Sequence, residues 1–229
     1  MIDPAKIPHV EYGNVIRDCK LEDIEFIAKQ EEVFYAKDVV PAEKLREWFQ
    51  ANPHGFNLIL NNGGRIGHIN LLPFKEEFLE KFIDGMVVEK EATASDIHPP
   101  GDKKKIKNLY VESLCIDQNK FNRGAILLQM RMHSRALIFR VCNLDSDKMG
   151  FVYALAATRG GAKILEHLSF QRVGNRSMGR FGRLLSALYF WKRDMRTRRD
   201  GMVLYRAHFT EISKLLLISE GAAPGHKDP

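Results

Sequence analysis

The stretch from Leu109 to Val141 constrains the fold more than any other part of the 229-residue sequence. Apolar and β-branched residues dominate Leu109 to Ile116, which predicts a buried strand in which Glu112 is the only charge. Polar residues that favour turns come next, and helix formers predominate from Gly124 onward. Because a helix start offers unpaired N–H groups and the positive end of a dipole, this arrangement predicts a site for a phosphate-bearing cofactor.

The composition is that of a globular protein with a full core, at 45% hydrophobic and 28% charged residues. A formal net charge of +6 favours anionic partners without specifying one. Three cysteines, odd in number and far apart, argue against a disulfide framework and favour a reducing, cytoplasmic setting. The first residues lack a signal-peptide pattern, and no apolar run approaches the ~20 residues that a membrane span needs.

Turn residues and apolar periodicity divide the rest of the chain into short elements. The predicted elements are a strand at Asn14–Cys19, helices at Lys20–Gln30 and Ala42–Gln50, hairpin strands at Phe56–Leu60 and Arg65–Leu72, a short helix and a strand between Pro73 and His98, a strand at Phe151–Ala157, a break at Gly160-Gly161, a helix at Ala162–Leu168, and a strand at Met202–Phe209. This order is typical of a single α/β domain with a mixed sheet.

Five segments carry a more specific pattern: VIRDCKLEDIEFI, NLILNNGGRIGHINLLP, ESLCIDQNKFNRG, GGAKILEHLSFQRV and MVLYRAHF. Their order and spacing, from about Val15 to His208, resemble the GNAT superfamily, whose members transfer an acyl group from acyl-coenzyme A to an amine. The resemblance implies a central, mixed but mostly antiparallel sheet flanked by helices. It also implies one domain over residues 1–229, with a core at about 14–210 and a flexible tail at 221–229.

The resemblance also assigns acetyl-CoA, the co-substrate, to particular residues. It implies that the backbone of the fourth strand at Leu114, Cys115 and Ile116 polarises the thioester carbonyl and pairs with the pantetheine arm. It implies further that a loop holds the pyrophosphate and that Thr158 stands where the family commonly has an asparagine contacting the cofactor. The loop residues are Phe121, Asn122, Arg123, Gly124 and Ala125. The family's loop usually has two spaced glycines, and Asn122 is the residue here that best tolerates the left-handed conformation.

Direct attack of a neutral amine on the thioester requires a proton acceptor. Glu112 is the candidate base or amine-binding carboxylate, because an unpaired charge within an apolar strand is costly and burial would raise its pKa. The alternative is that Glu112 pairs with a nearby Lys or Arg, or lies on a solvated edge. Leu165 occupies the position of the family's usual tyrosine acid, so Tyr153 or Tyr205 is the candidate substitute, with solvent as the other proton source.

The segment 172–199 contains nine Arg and Lys residues against one acid, Asp194. Apolar residues recur in it at helical spacing, which predicts a basic amphipathic helix inserted between the last two strands. Three interpretations compete for it. It is a helix packed on the core with a solvated basic face, or a wall of the acceptor site or a homodimer interface, or a surface that binds nucleic acid or an anionic membrane.

The sequence thus predicts an acetyl-CoA-dependent N-acetyltransferase acting on a small-molecule or peptide amine in a ternary complex. The alternative is a catalytically weak GNAT-like protein that binds CoA, or a module that binds nucleic acid or an anionic surface through segment 172–199. Eight histidines show no metal-ligand spacing, so no metal site is predicted. The acceptor, the acyl-chain length and the oligomeric state stay open.

Overall fold

The computed structural model describes residues 14–35, 39–117, 137–138, 140–142, 150–156, 159–173, 203–209 and 211–212. Within them the strands are β1 Asn14–Asp18, β2 Phe56–Asn61, β3 Gly64–Leu72, β4 Leu109–Ile116, β5 Phe151–Ala156, β6 Gln171–Arg172 and β7 Val203–His208. The helices that lie wholly within the described residues are α1 Ile24–Tyr35, α2 Ala42–Ala51, α3 Glu76–Ile83 and α4 Arg159–His167. Short 3₁₀ turns lie at Leu21–Asp23, Pro53–Gly55, Glu89–Glu91, Ala94–Asp96 and Pro100–Lys105.

The seven described strands form one sheet in the order β1-β2-β3-β4-β5-β7-β6. Every neighbouring pair is antiparallel except β4 and β5, which run parallel. The β2–β3 hairpin turns through Asn62 and Gly63, both at positive φ (48° and 77°), as the sequence Asn-Asn-Gly-Gly predicts. The predicted mixed, mostly antiparallel α/β sheet is confirmed.

Both faces of the sheet are covered, and each carries its own apolar cluster. Helices α1, α2 and α3 cover one face, where Trp48, Phe56 and Tyr110 are fully buried. Helix α4 and residues 137–138 and 141–142 cover the other face, which includes Leu109 and Tyr205. The two clusters hold the sheet between helical layers, and they fix which side chains of β4 point toward α1.

A β-bulge in β4 lies at Glu112. Asn70 of β3 pairs with Ser113 and the next residue, Leu71, pairs with Val111, so Glu112 is an extra residue on its strand. The bulge breaks the alternation of side chains. Val111 and Leu114 therefore both pack against the cluster on the α4 side, although three positions separate them.

Three predictions about elements need correction. The strand expected between Pro73 and His98 is wrong: that segment holds α3, 3₁₀ turns and a single isolated bridge between Phe74 and Ile97. The break expected at Gly160-Gly161 is also wrong, because both glycines lie in the first turn of α4. The first helix begins as a 3₁₀ turn at Leu21 and continues to Tyr35, five residues past the predicted end.

The first helix extends beyond the apolar periodicity that predicted it, and the residues of its last turn are largely exposed. Val33 is 79% exposed and Phe34 is 40% exposed, so these residues do not extend the buried stripe on which the prediction rested. Most of the predicted helix after Gly124 and most of the basic segment 172–199 lie outside the described residues. Of the former, residues 137–138 and 140–141 are helical, and of the latter Arg172 belongs to β6.

Candidate active site

The candidate site lies where β4 leaves its parallel neighbour. β4 pairs with β5 only over Leu109–Val111, whereas on its other edge it pairs with β3 as far as Ile116. In the described part of the chain, residues 112–116 therefore form no β-ladder with β5. Such an opening lets an extended molecule lie along the edge as a neighbouring strand would. The predicted cofactor-binding residues Leu114, Cys115 and Ile116 all lie along this opening.

Glu112 begins the opening and is 9% exposed. Its Oε2 accepts hydrogen bonds from Asn70 Nδ2 at 2.8 Å and from the Ser113 hydroxyl at 2.6 Å. Asn70 Nδ2 also donates to Ser113 Oγ at 3.0 Å. Among the described residues both hydrogen bonds to this carboxyl thus go to one oxygen, so Oε1 is the oxygen left for a proton from a bound amine.

The network continues from Ser113 through His68 to α1. His68 Nε2 lies 3.0 Å from Ser113 Oγ, and His68 Nδ1 lies 2.7 Å from Gln30 Oε1. Because Gln30 Nε2 donates to the Ile66 carbonyl, its Oε1 must accept, which assigns the proton of His68 to Nδ1. Burial lowers the pKa of His68 to about 4, so the ring is neutral and its Nε2 is an acceptor.

Glu31 of α1 faces this acceptor. Its Oε1 lies 3.4 Å from His68 Nε2, and the side chain is fully buried. Burial raises the pKa of Glu31 to about 7, although the nearby Ser113 hydroxyl lowers it. At neutral pH the two protonation states of Glu31 are therefore of similar free energy.

The electrostatics around Glu112 favour a proton acceptor that works near neutral pH. Burial is the main cause that raises the pKa of Glu112 to about 8, and the charge of Glu31 adds to it. The hydrogen bonds from Ser113 and Asn70 act in the opposite direction but do not cancel the shift. A carboxyl with such a pKa can take a proton from an attacking amine and return it to solvent.

A third carboxyl belongs to the same region. Burial, and then the charges of Glu112 and Glu31, raise the pKa of Glu89 well above its usual value. Glu89 faces the fully buried Tyr110 on β4, and its charge contributes to raising the pKa of that phenol. Three carboxyls from three separate elements therefore act on one another electrostatically on the α1 face of the sheet.

Tyr35, the last residue of α1, brings a phenol to the opening. It interacts with Cys115, and burial is the main cause that raises the pKa of the Tyr35 phenol. Burial also raises the pKa of the Cys115 thiol, which is 1% exposed. Cys115 is therefore a protonated thiol packed against α1, as a structural cysteine is.

The structure places the other predicted residues as follows. Tyr153 is 6% exposed, packs in the same apolar cluster as Tyr110 and interacts with Arg206 of β7. Leu165 packs in the cluster on the α4 side. The five loop residues Phe121, Asn122, Arg123, Gly124 and Ala125 lie outside the described residues, as does Thr158.

Within the described ranges, no group of three or more His, Cys, Asp or Glu side chains converges closely enough to hold a metal ion. None of the described helices combines the length and apolar character needed to cross a bilayer. The cysteines Cys19, Cys115 and Cys142 are buried and form no disulfide with one another.

Sequence reasoning missed most of the residues around Glu112. Glu31 and Tyr35 lie in a helical turn that was not predicted, and Glu89 lies in the segment between Pro73 and His98, for which only a short helix and a strand were predicted. One signal was available for His68 and Asn70, which are polar residues two positions apart in a strand that is otherwise apolar. Two such residues on one face of a buried strand indicate a polar network on that face.

No protein-family model matches the sequence, and no curated protein matches it either. Among solved structures, an uncharacterised protein from Bacillus halodurans is similar at a TM-score of 0.51 and 12% identity, over 89% of this chain and 88% of that one. The Neisseria gonorrhoeae N-acetylglutamate synthase, complexed with coenzyme A and N-acetyl-glutamate, has a TM-score of 0.48 at 12% identity. The match covers 86% of this chain but only 35% of that enzyme.

The Naa50 protein of Arabidopsis thaliana, in complex with a bisubstrate analogue of CoA and a peptide, has a TM-score of 0.47 at 12% identity, over 86% of this chain and 99% of that one. Identities at this level compare folds and not activities. The structure itself shows the sheet that the sequence resemblance implies, mostly antiparallel with one parallel pair, β4 and β5, that separates at a bulge. The fold is therefore the one that the sequence resemblance to the GNAT acyltransferases implies.

Proposed function

We propose that this protein is an N-acetyltransferase that moves an acetyl group from acetyl-CoA to a primary amine by direct attack in a ternary complex. One observation carries the proposal. A buried carboxyl, Glu112, lies at the bulge where β4 leaves β5, and burial raises its pKa to about 8. A base with that pKa lies beside the opening that suits an extended acyl-CoA arm.

In the proposed reaction the amine nitrogen attacks the thioester carbonyl carbon. A C–N bond forms, the C–S bond breaks, and the amine proton passes to Glu112 Oε1 directly or through a water. Backbone N–H groups near Leu114 and Cys115 stabilise the oxyanion, as the family resemblance implies. No residue becomes acylated, and the nearby Cys115 thiol stays protonated because burial raises its pKa.

Cofactor binding beyond the acyl group is assigned by the resemblance alone. The loop 121–125 would hold the pyrophosphate through its backbone N–H groups, with Arg123 adding a positive charge, and Thr158 would contact the cofactor. The acceptor belongs to the class of small-molecule or peptide amines. The proposed cytoplasmic setting rests on the small and odd number of cysteines in the sequence.

The departing thiolate is stabilised by a donor that the sequence did not suggest. Tyr35 supports this role better than Tyr153 does, because it interacts with Cys115 on the open stretch of β4. Tyr153 instead interacts with Arg206 of β7. Burial makes the Tyr35 phenol a weaker acid, so it stays protonated and stabilises the departing thiolate through a hydrogen bond, while solvent supplies the proton.

Calorimetric titration with acetyl-CoA, followed by thiol release with an amine, tests the proposal. We expect micromolar binding of acetyl-CoA by both the wild type and Glu112→Gln, with acetyl transfer lost in the variant alone. Glu32→Gln is the matched control, since Glu32 is an exposed acid on α1. A folded protein that binds no acetyl-CoA would refute the proposal.

A further inference from the structure

The hydroxyl of Ser113 has one proton and more than one acceptor within reach. Its Oγ lies 2.6 Å from Glu112 Oε2 and 3.0 Å from His68 Nε2. The hydroxyl also acts as a donor toward Glu31, since it lowers the pKa of that carboxyl. Asn70 Nδ2 donates to the same Oγ at 3.0 Å, so the hydroxyl proton points away from Asn70. A single hydroxyl can donate to only one of these acceptors at a time.

Glu31 depends on this hydroxyl more than Glu112 does. Glu112 has a second donor, because Asn70 Nδ2 lies 2.8 Å from its Oε2. In the observed arrangement the hydroxyl donates to Glu112, and among the described residues neither oxygen of Glu31 then has a hydrogen-bond partner. A buried carboxylate without a donor is costly. Ionised Glu31 and ionised Glu112 therefore compete for one proton donor.

His68 favours the protonated form of Glu31. The hydrogen bond with Gln30 places the ring proton on Nδ1, so Nε2 cannot donate and can only accept. Glu31 Oε1 lies 3.4 Å from this Nε2, which is close enough for a protonated Glu31 to direct its proton there. When Glu31 donates to His68 and Ser113 donates to Glu112, both carboxyls have partners and hold one proton between them.

In the described part of the chain, four other titratable groups interact electrostatically with Glu112. They are Tyr35 of α1, Glu89 of the turn Glu89–Glu91, and Tyr110 and Cys115 of β4. Burial raises the pKa of all four, so the two phenols and the thiol stay protonated near neutral pH. The side chain that donates to Glu89 is Tyr110 and not Ser113. Glu31 and Glu112 are therefore the carboxyls that share the serine hydroxyl.

We infer that Ser113 is a positioning residue for the proposed reaction, because its one hydroxyl proton is donated either to Glu112 or to Glu31. The inference rests on the proposed function and describes how its base is kept ionised. While Glu31 holds a proton, the hydroxyl donates to the Glu112 carboxylate and stabilises that base. When Glu112 Oε1 takes the proton of the attacking amine, the hydroxyl rotates to Glu31 without breaking its O–H bond. The rotation favours loss of the Glu31 proton to water.

The test is a double-mutant cycle on the titration midpoint of Glu112, measured by carbon-13 NMR of glutamate carboxyls. In Glu31→Gln the competing carboxylate is gone, so adding Ser113→Ala should raise the midpoint by about one pH unit, the scale of one hydrogen bond to a charged group. With Glu31 present, Ser113→Ala should raise it by less than half as much, because ionised Glu31 already takes the hydroxyl. Equal shifts in the two backgrounds overturn the inference.

Two further variants control for the loss of a hydroxyl as such. Thr93→Ala removes a hydroxyl that donates to the exposed Asp96 at 2.7 Å, and it should leave the Glu112 midpoint unchanged. Ser113→Thr keeps a hydroxyl at the position and should restore the wild-type midpoint. A shift in Thr93→Ala as large as that in Ser113→Ala would overturn the inference.

A measurement on the wild type decides the question if Ser113→Ala does not fold. The nitrogen-15 signal of His68 Nε2 should shift with pH as Glu31 loses the proton that it directs to this nitrogen. A signal that stays constant from pH 6 to 9.5 overturns the inference.

The NMR measurements need no acetyl-CoA, so they separate the inference from the proposed function. A larger shift in the Glu31→Gln background, in a protein without acetyl transfer, supports the shared hydroxyl while the proposed function fails. Where transfer occurs, the pH profile of kcat/KM in Ser113→Ala should move to higher pH by the same amount as the Glu112 midpoint, with an unchanged plateau. Transfer with equal midpoint shifts in the two backgrounds leaves the acetyltransferase intact and overturns the inference.

Discussion

The described part of the chain contains two buried carboxyl sites with opposite surroundings. Asp23 is fully buried. Arg17 donates two hydrogen bonds to its carboxylate, at 2.8 and 3.1 Å, and the backbone N–H of Lys20 donates a third at 2.9 Å. The guanidinium of Arg65 forms an ion pair with the same carboxylate at 2.9 Å. Burial raises the pKa of Asp23, yet these partners outweigh burial and the net shift is downward. Every acceptor of this carboxyl has a donor, as expected of an ion pair that only stabilises the fold.

The carboxyls around Glu112 lack that compensation. Their partners among the described residues are neutral, and the pKa rises to about 8 at Glu112 and about 7 at Glu31. Burying a carboxylate without a cation costs folding free energy, so such a cluster marks a site where stability is given up for function. The contrast shows that the pairing of a buried acid, rather than its burial, separates the structural site from the candidate catalytic one.

The largest effect is expected at Glu112. Glu112→Gln keeps the shape and the hydrogen bonds to Oε2 but removes the base, so acetyl transfer should fall about 10²–10⁴-fold. Acetyl-CoA affinity should not change, because the backbone of β4 is untouched. Steady-state thiol release and calorimetry check the two parts. Comparable rates in the variant and the wild type would remove Glu112 from the mechanism.

The same carboxyl-to-amide change at Asp23 should affect stability instead. Asp23→Asn removes the charge that pairs with Arg17 and Arg65 and should lower the free energy of unfolding by about 2–3 kcal/mol. The arginines are 32% and 41% exposed, so water partly compensates them. Urea unfolding at pH 7 measures the change. An unaltered midpoint would show that this ion-pair site does not stabilise the fold.

At Glu31 the same carboxyl-to-amide change should raise the free energy of unfolding instead of lowering it. The folded-state pKa of about 7 exceeds the ordinary 4.5, so Glu31 costs stability as pH rises from 4.5 through 7. Glu31→Gln should therefore raise the free energy of unfolding at pH 8 by about 1–2 kcal/mol, with little gain at pH 4. Urea unfolding at both pH values tests this, and destabilisation at pH 8 would contradict the comparison.

Glu31→Gln should also move the pH dependence of acetyl transfer. In the wild type the rate should rise with pH through an apparent pKa of about 8, as Glu112 loses its proton. Because the charge of Glu31 helps to raise that pKa, the variant profile should shift to lower pH. A profile of kcat/KM measured from pH 6 to 9.5 shows the shift, and an unmoved profile would mean that the two groups do not interact.

The smallest effect is expected at Tyr35. Tyr35→Phe removes the phenol beside Cys115 and should lower kcat several-fold, since solvent can still protonate a thiolate. Tyr153→Phe is the matched control and should change kcat less, because that hydroxyl interacts with Arg206. Pre-steady-state thiol release compares them. A larger loss of kcat in the Tyr153 variant would favour Tyr153, the residue that the sequence suggested, over Tyr35.

Local sequence patterns were sufficient to predict most strands of the sheet. The predicted bounds of β4, Leu109–Ile116, match the structure at both ends. An apolar run of this length bounded by turn residues is typical of a buried strand. The order of strands followed from a resemblance carried by several segments together. The strand after Pro73 failed because Met86 and Val88 are apolar yet 60% and 52% exposed, so local hydropathy did not report burial there.

The site was predictable only in part. Glu112 was found because one charge interrupts an apolar strand, which is a local signal. Glu31 and Glu89 are acids among several others in polar segments, and only the tertiary structure shows that they are buried and face Glu112. Tyr35 was missed for the same reason, since it becomes relevant through a contact with a residue 80 positions away.

The central claim is that Glu112 is a buried carboxyl without a compensating cation, and its pKa tests this most directly. Carbon-13 NMR titration of protein labelled at the glutamate carboxyl, with the signal assigned by its loss in Glu112→Gln, gives that value. The account predicts titration near pH 8 in the folded protein. A Glu112 signal that titrates between about 4 and 5, the ordinary range for glutamate, would contradict it.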